Sequence, residues 1–457
     1  MLLDCIRQET PFAPYINTST LFDFSNGEFL PGVHNPWVLN GGIPPTLGIV
    51  GREQTYKSAK AGTLLARALA VHPLAEAYVY DTEGAIKGSE RYQQLVRANI
   101  EDRIVFKNTS MCSLTDFYDD ICKVVDEKSK HKDDYIVESP FINHKTMQPY
   151  RIWIPTICLI DSLSYARSDI GEEQYGKAKS VDGSEMNTLW MKEGNIKTRI
   201  INDLPRKALK YGLYLILTAH IGDKLDLDTF HRTPKQLQYM KNTDRIKNVG
   251  SNFSFLMATL IQTFKAEVMT SKSSSGAVEC EFPTSVSTPQ EISEVTYGIL
   301  RNKNNASGIE LHDAISQYQG VLDSVTNFLL LKRYDNYGLE VNGNKSTYAT
   351  VLLKDQKFSR RNIRELCDAD YRLYRALEIV AQLCFIQHWW STYKLPAYIR
   401  IKPEKLAELL YASSTCSIDR VLQSTGSWST SPTDRELMTL FDILEFLHNE
   451  FDLTKDV

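Results

Sequence analysis

The sequence predicts an α/β protein: a mainly parallel, twisted sheet flanked by helices, with a short segment before it and a smaller helical region after it. Three observations carry that expectation. Short apolar runs alternate with longer amphipathic stretches from Leu47 to about Leu331, and strands alternating with helices build βαβ units. The first run leads directly into Gly51-Arg-Glu-Gln-Thr-Tyr-Lys57-Ser58 and then a helical stretch, which is the strand–loop–helix context of a phosphate loop. From about residue 345 the texture turns helical, as in RRNIRELCDADYRLYRALEIVAQLCFIQHWW.

Taken in order, residues 1–40 are aromatic and turn-rich and run on into PWVLNGG. Strands are expected at Leu47–Val50, Tyr78–Tyr80, Ile104–Phe106, Ile157–Ile160 and Tyr214–Thr218. Helix-like stretches at Ser58–Val71, Glu90–Ala98 and Leu114–Asp126 lie between them. Further runs at Leu256–Gln262, Val295–Leu300 and Phe328–Leu331 have fewer helices between them, so an antiparallel extension at one sheet edge is expected. Residues 127–150 read as an irregular surface insertion, and the Ser- and Thr-rich 270–290 as a flexible or hairpin loop. The polar segments 167–195 and 221–252 each follow a very apolar run. SWSTSPTDRELMTLFDILEFLH opens with Ser, Thr and Pro, the chemistry of a helix cap. The expected division is 1–40, a core at 41–345 and a mainly helical region at 346–457.

Composition bounds the reading. A chain of 457 residues with 42% hydrophobic and 24% charged residues can bury a real core. Lys plus Arg is 52 against Asp plus Glu 56, a net charge of −4, which excludes a histone-like basic coat but not a locally basic groove. The eight cysteines form no CxxC pair and no zinc-like cluster, so they read as reduced, mostly buried thiols. No stretch approaches the ~20 apolar residues of a membrane span, and MLLDCIRQETPF has no apolar run of signal-peptide type. A soluble, cytoplasmic protein is expected.

Phosphate binding needs backbone N–H groups at a helix N-terminus, a Lys for the β/γ oxygens and a hydroxyl for Mg²⁺. Gly51, Arg52, Glu53, Gln54, Thr55, Tyr56, Lys57, Ser58 and Ala59 form such a loop, with Lys57 and Ser58 in the last two roles. Tyr56 departs from the common pattern, which has Gly there; a plain βα turn containing Lys-Ser is the alternative. Three more segments extend the set: Gly41-Gly42-Ile-Pro upstream, Tyr80-Asp81-Thr82-Glu83-Gly84 at a strand end, and Thr156-Ile-Cys-Leu-Ile-Asp161-Ser162-Leu163, a strand closing on an acid. Leu213-Tyr-Leu-Ile-Leu-Thr-Ala-His220 is a further apolar strand with a polar end.

In this order the segments resemble the RecA-type recombinases, and most closely their phage UvsX branch, which also carries an aromatic residue before the loop lysine. The resemblance spans roughly residues 18–345 and implies a RecA-like P-loop ATPase core that binds ATP and Mg²⁺. Glu83 would be the general base for the attacking water; an isolated Glu here would equally cap the next helix. Asp161 would hold Mg²⁺ through a water together with Ser58, or else act as a helix N-cap. His220 would sense the γ-phosphate, or simply be a satisfied strand-end hydrogen-bonder. Arg301 and Lys303 would reach a neighbouring subunit's ATP, the alternative being a solvated RNKNN turn.

The segments 167–195 and 221–252 correspond to the family's two DNA-binding loops. The second carries Lys224, His231, Arg232, Lys235, Lys241, Arg245 and Lys247 with Phe230 and Tyr239 interleaved, a mixture suited to single strands. A surface loop is the other reading. The implied partners are single-stranded DNA, homologous duplex DNA and further copies of the chain in a helical filament through residues 1–40. A single-strand-binding protein and a loader are implied as well, and no membrane. The rival functions are a hexameric helicase motor and a non-enzymatic DNA-binding or structural protein with a relic nucleotide site.

Overall fold

The computed structural model describes residues 12–84, 90, 92, 99–169, 184–224, 235–250, 252–269, 292–316, 319–342, 347–389 and 397–453. Its centre is a large mixed, mostly parallel ten-stranded sheet flanked by helices. The parallel strands are β3 (Thr46–Gly51), β4 (Glu76–Asp81), β5 (Ile104–Asn108), β8 (Thr156–Asp161), β9 (Leu213–Asp223) and β11 (Thr259–Val268). They lie in the order β11-β3-β9-β8-β4-β5. The first helices are α1 (Leu21–Asn26) and α2 (Lys57–Val71). Strands β3 and β8 are buried along their whole length, as expected when both sheet faces are covered.

The antiparallel extension forms at the β11 edge, where β12 (Ile292–Asn302), β13 (Glu310–Ser316) and β14 (Gly320–Val321) follow one another. The run Phe328–Leu331 is a correction: it lies in the helix Asp323–Arg333 and is not a strand. Its apolar residues pack with that helix's neighbours, and a short apolar run does not by itself reveal its period. Leu256–Gln262 is divided, since Phe253–Leu256 is a helical turn and β11 begins at Thr259. Residues 127–150 are ordered, with β6 (Ile136–Asn143) paired antiparallel to β7 (Gln148–Trp153). The polar stretch 167–195 is helical in its second part, within the helix Ser184–Tyr211. The 270–290 segment lies outside the described residues, as does most of Glu90–Ala98.

Successive residues of a strand point to opposite faces, and the core divides accordingly. Leu47, Ile49, Val79, Leu159 and Ile216 belong to one buried cluster; Val50, Tyr80, Cys158, Ile160 and Leu217 belong to the other. The second face is covered by the helices Leu114–Lys130 and Ser184–Tyr211, through residues such as Phe117, Ile121, Ile200 and Leu204. Ser113 and Asp116 close a reciprocal capping box at the start of the first of these, satisfying two N–H groups that the helix leaves unpaired. The first face carries α1, α2 and the region after residue 345 in one continuous cluster, from Phe22 and Leu65 to Phe385 and Leu444.

That later region opens with strands, β15 (Leu339–Asn342), β16 (Thr347–Thr350) and β17 (Leu353–Phe358), before its helices. Its last helix starts at Leu440 behind Thr439, whose hydroxyl accepts from Asp442 N. The cap is therefore twelve residues into the Ser/Thr/Pro stretch expected to supply it (439 − 427). Residues 21–26 and 28–40 fold back on the same chain as α1 and the pair β1 (Glu28–Leu30) and β2 (Val38–Asn40). Five of the six described cysteines are buried, and all six are free thiols. Among the described residues, no helix is long and apolar enough to cross a membrane.

Candidate active site

Ligands of open α/β sheets bind beyond the carboxyl ends of the parallel strands, and the predicted residues converge there. In register, Gly51 lies beside His220 and Asp81 beside Asp161, so four strand ends meet on one rim. The loop after β3 turns tightly into α2. Gln54 and Tyr56 take left-handed conformations, φ 58° and 60°, which favour Gly and cost other residues about 1 kcal/mol or more each. Left-handed residues within such a turn gather backbone N–H groups into an anion-binding concavity.

Tyr56 replaces glycine here because its side chain is anchored. The hydroxyl is 3.0 Å from Ser293 Oγ on β12, and the ring packs on the cluster of Val295, Ile315 and Val321. Gly51, by contrast, has no room for a side chain: a Cβ would lie 2.0 Å from Thr263 Oγ1. Thr55 Oγ1 ties the loop to the same residue, 2.7 Å away.

Lys57 is buried, and its Nζ donates to the carbonyl of Arg52 at 2.8 Å. Burial lowers the pKa of this ammonium, with Asp161, Glu83 and Glu53 opposing the shift. An anion brought into the loop would relieve that desolvation. Asp161 is buried as well; burial raises its pKa, against hydrogen bonds from Thr218 and Ser58. Thr218 Oγ1 donates to it at 2.6 Å. A buried carboxylate beside a hydroxyl is an oxygen donor set suited to a hard divalent cation, which would offset the cost of the charge. Among the described residues no three His, Cys, Asp or Glu side chains group together as a self-sufficient metal site.

Glu83 is positioned by a turn: Asp81 Oδ1 accepts from the backbone N–H groups of Glu83 and Gly84, both at 3.0 Å. Thr82 clasps the next strand, its hydroxyl donating to Ser162 O at 2.6 Å and accepting from Ser162 N at 2.7 Å. The Asp161–Ser162 peptide is cis. The Glu83 carboxylate then accepts from His220 Nε2 at 2.8 Å and from Ser162 Oγ at 2.9 Å. The His220 bond is the main reason its pKa is lowered, burial acting in the opposite sense. His220 is itself held through its backbone N–H, which donates to Ser164 Oγ at 2.9 Å. The arrangement can bind a polyphosphate and present an ionised carboxylate, a ring N–H and an ammonium to one place.

Lys57, Ser58, Glu83 and His220 line a single cavity of about 770 Å³ with the rest of the loop. A neighbouring one of about 700 Å³ shares Glu53, Glu83 and His220. Arg301 and Lys303 do not join them. Arg301 is paired with Leu260, which is in register with Gly48, while Tyr297 shares the level of Gly51. Three residues of β3 separate the two levels, about 10 Å, so both cations lie towards the opposite rim. There Arg301 stands 5.6 Å from the ring centre of the exposed Phe255. Lys303 has its pKa lowered by partial burial and by Arg301.

Of the basic segment, Arg232 and His231 lie outside the described residues. Lys235, Lys241, Arg245 and Lys247 are exposed, Lys224 half-buried. The segment starts and ends in a short antiparallel pair, β9 with β10 (Asp244–Ile246), in which Asp223 faces Asp244. Arg52 of the phosphate loop contacts both acids.

Sequence reasoning missed Thr218, Ser162, Asp223, Asp244 and Ser293. Thr218 was within reach, because it shares a strand face with His220 by the two-residue period. The others come together only through the sheet. Neither comparison with protein-family models nor comparison with curated proteins matches this chain to anything.

Proposed function

We propose that the chain is an ATP-dependent DNA strand-exchange recombinase with a RecA-like core, closest to the phage UvsX branch, acting as a filament on single-stranded DNA. The observation that carries the reading is the gathering of Lys57, Ser58, Glu83 and His220 around one cavity, with Asp161 bonded to Ser58. These groups come from separate strand ends and match the division of labour that phosphoryl transfer needs.

In this reading Lys57 leaves the Arg52 carbonyl for the β/γ oxygens, and loop N–H groups take the rest of the phosphate charge. Ser58, with Asp161 through a water, would hold Mg²⁺, whose charge would offset the negative charge of the phosphates. Glu83 accepts the proton of the attacking water; negative phosphates nearby raise its pKa from the lowered value and make it a better base. His220, bonded to Glu83 and leading into the basic segment, relates the γ-phosphate to DNA. Exposed Lys235, Lys241, Arg245 and Lys247 contact phosphates of single-stranded DNA, which then pairs with homologous duplex. Arg301 and Lys303, too far away in their own subunit, serve the site of the next one.

Phosphate release from ATP, measured with and without single-stranded DNA, tests the reading. It expects turnover that DNA stimulates; no turnover under either condition contradicts it. DNA affinity should fall linearly in log K against log salt, by ~0.7 per phosphate contacted. Replacing Lys235, Lys241 and Lys247 together with Ala should flatten that line.

A further inference from the structure

A second cavity lies behind the residues that would meet the γ-phosphate. It measures about 700 Å³ and shares Glu53, Glu83 and His220 with the phosphate-loop cavity. The partition between them is the Glu83–His220 pair, bonded at 2.8 Å. On the far side stand Thr109 and Ser110, just after β5, and Tyr165 and Arg167, a few residues after β8. The two stretches are tied, because Leu114 N donates to the Arg167 carbonyl at 2.8 Å. Tyr165 stands edge-on to His220, with 5.0 Å between ring centres.

The chemistry of this wall selects its occupant. Among the described residues no Ala, Val, Leu, Ile or Met lines it, so an apolar ligand gains little there. Thr109, Ser110, Tyr165 and Arg167 offer hydroxyls and a guanidinium, donors suited to an oxyanion. Glu53 and Glu83 are the opposing charges; Glu53 is exposed, where solvent screens it. Geometry then names the oxyanion. In an in-line displacement the attacking water and the leaving oxygen stand on opposite sides of the phosphorus. The water oxygen bonds to the γ-phosphorus as the bond to the β-phosphate oxygen breaks. ADP keeps that electron pair, and one water proton passes to Glu83. The phosphorus inverts towards Glu83, the wall of the second cavity, while ADP still fills the first.

We propose that the second cavity holds inorganic phosphate after cleavage and lets it leave before ADP, with Arg167 as its main ligand. This rests on the functional reading above. Thr109, Ser110, Tyr165 and Arg167 are absent from the lining of the phosphate-loop cavity, so the two products have separate ligands.

The test is inhibition of ATP turnover by added inorganic phosphate, read as ADP formation at matched ionic strength. Arg167 also opens a segment expected to meet DNA, so oligo-dT is kept saturating. For wild type, phosphate should lower the maximum rate, and saturating ATP should not relieve it. Arg167→Gln should weaken this inhibition about tenfold, the worth of one charge-assisted hydrogen bond, with the KM for ATP unchanged. Arg167→Lys, which keeps the charge, should restore part of it. Absent inhibition, inhibition that ATP competes away, or equal inhibition in Arg167→Gln overturns the phosphate site alone. So does a variant in which only oligo-dT affinity changes, since Arg167 then serves DNA. A wild type without turnover, with or without DNA, overturns the functional reading and this site with it.

Discussion

The two rims of the central sheet are built from the same strands and differ in almost every other respect. At the carboxyl rim, Lys57, Asp161 and His220 are buried: Lys57 is held by the Arg52 carbonyl of its own loop, Asp161 by Thr218 on β9, and His220 by Ser164 just after β8. At the opposite rim Arg301 lies at the end of the antiparallel strand β12 beside the exposed Phe255, and the exposed Lys303 follows just after that strand. The first rim brings together a carboxylate, an ammonium and a buried acid beside a hydroxyl. The second has cations, and among the described residues no acid pairs with Arg301 or Lys303. Under the proposed function the two are complementary halves of one catalytic site, completed where subunits meet.

The largest effect should come from the outward rim. Arg301→Ala with Lys303→Ala should leave ATP binding by an isolated subunit nearly unchanged. DNA-stimulated hydrolysis should fall by roughly 10³–10⁵-fold, the worth of a charge supplied by a neighbour. Weakened binding in the isolated subunit would break the division between rims. At the other rim, Glu83→Gln keeps the hydrogen-bonding shape and removes proton acceptance. Turnover should drop by about 10²–10⁴-fold with nucleotide binding retained. A fluorescent-nucleotide titration beside a turnover assay reads both, and near-normal turnover would remove Glu83 from its role.

A smaller effect concerns how the phosphate-loop helix is held. Lys60, buried in the first turns of α2, donates to Asp313 Oδ2 on β13 at 2.5 Å. Its ammonium also sits 4.3 Å from the Tyr297 ring centre. Lys60→Met strands the buried Asp313 charge and should cost about 3–5 kcal/mol by urea denaturation. A loss below about 1 kcal/mol would mean that this pair does not anchor the helix.

The smallest effect is a pH slope at the residue on which the N-terminal segment turns. Burial raises the pKa of Asp23 from 3.8 to about 7, against hydrogen bonds from Thr18, Ser19 and Thr20. Between those values the folded chain keeps a proton that the unfolded chain has lost. Stability from this group is therefore complete below pH 3.8, declines as pH rises towards 7, and levels off above it. Asp23→Asn should remove that decline; urea midpoints at mildly acidic and mildly alkaline pH check it. The same dependence in both proteins would contradict the assignment.

The contrast between the rims also explains what the sequence could tell. Lys57, Ser58, Glu83, Asp161 and His220 were legible because each stands at the end of an apolar run, where strand meets loop. The antiparallel edge was legible from the thinning of helices after Leu256. Phe328–Leu331 was misread because four apolar residues fit a buried helix turn as well as a strand. The hairpin within 127–150 was hidden by its polar side chains, since that pair lies outside the central sheet. Arg52 with Asp223 and Asp244 spans 192 positions (244 − 52), a pairing that only the sheet brings about. Tyr56 could not have been justified from sequence, because its support, Ser293 and Val295, lies on β12, with Ser293 237 positions further along the chain.

The central claim is that one rim completes the other across a subunit boundary, and mixing two inactive proteins tests it most directly. One carries Glu83→Gln, the other Arg301→Ala with Lys303→Ala. Where they meet in one order, an intact base faces intact cations, so the mixture should recover part of the DNA-stimulated phosphate release that neither shows alone. If mixed assemblies form and no activity returns, Arg301 and Lys303 do not act on a neighbour's nucleotide.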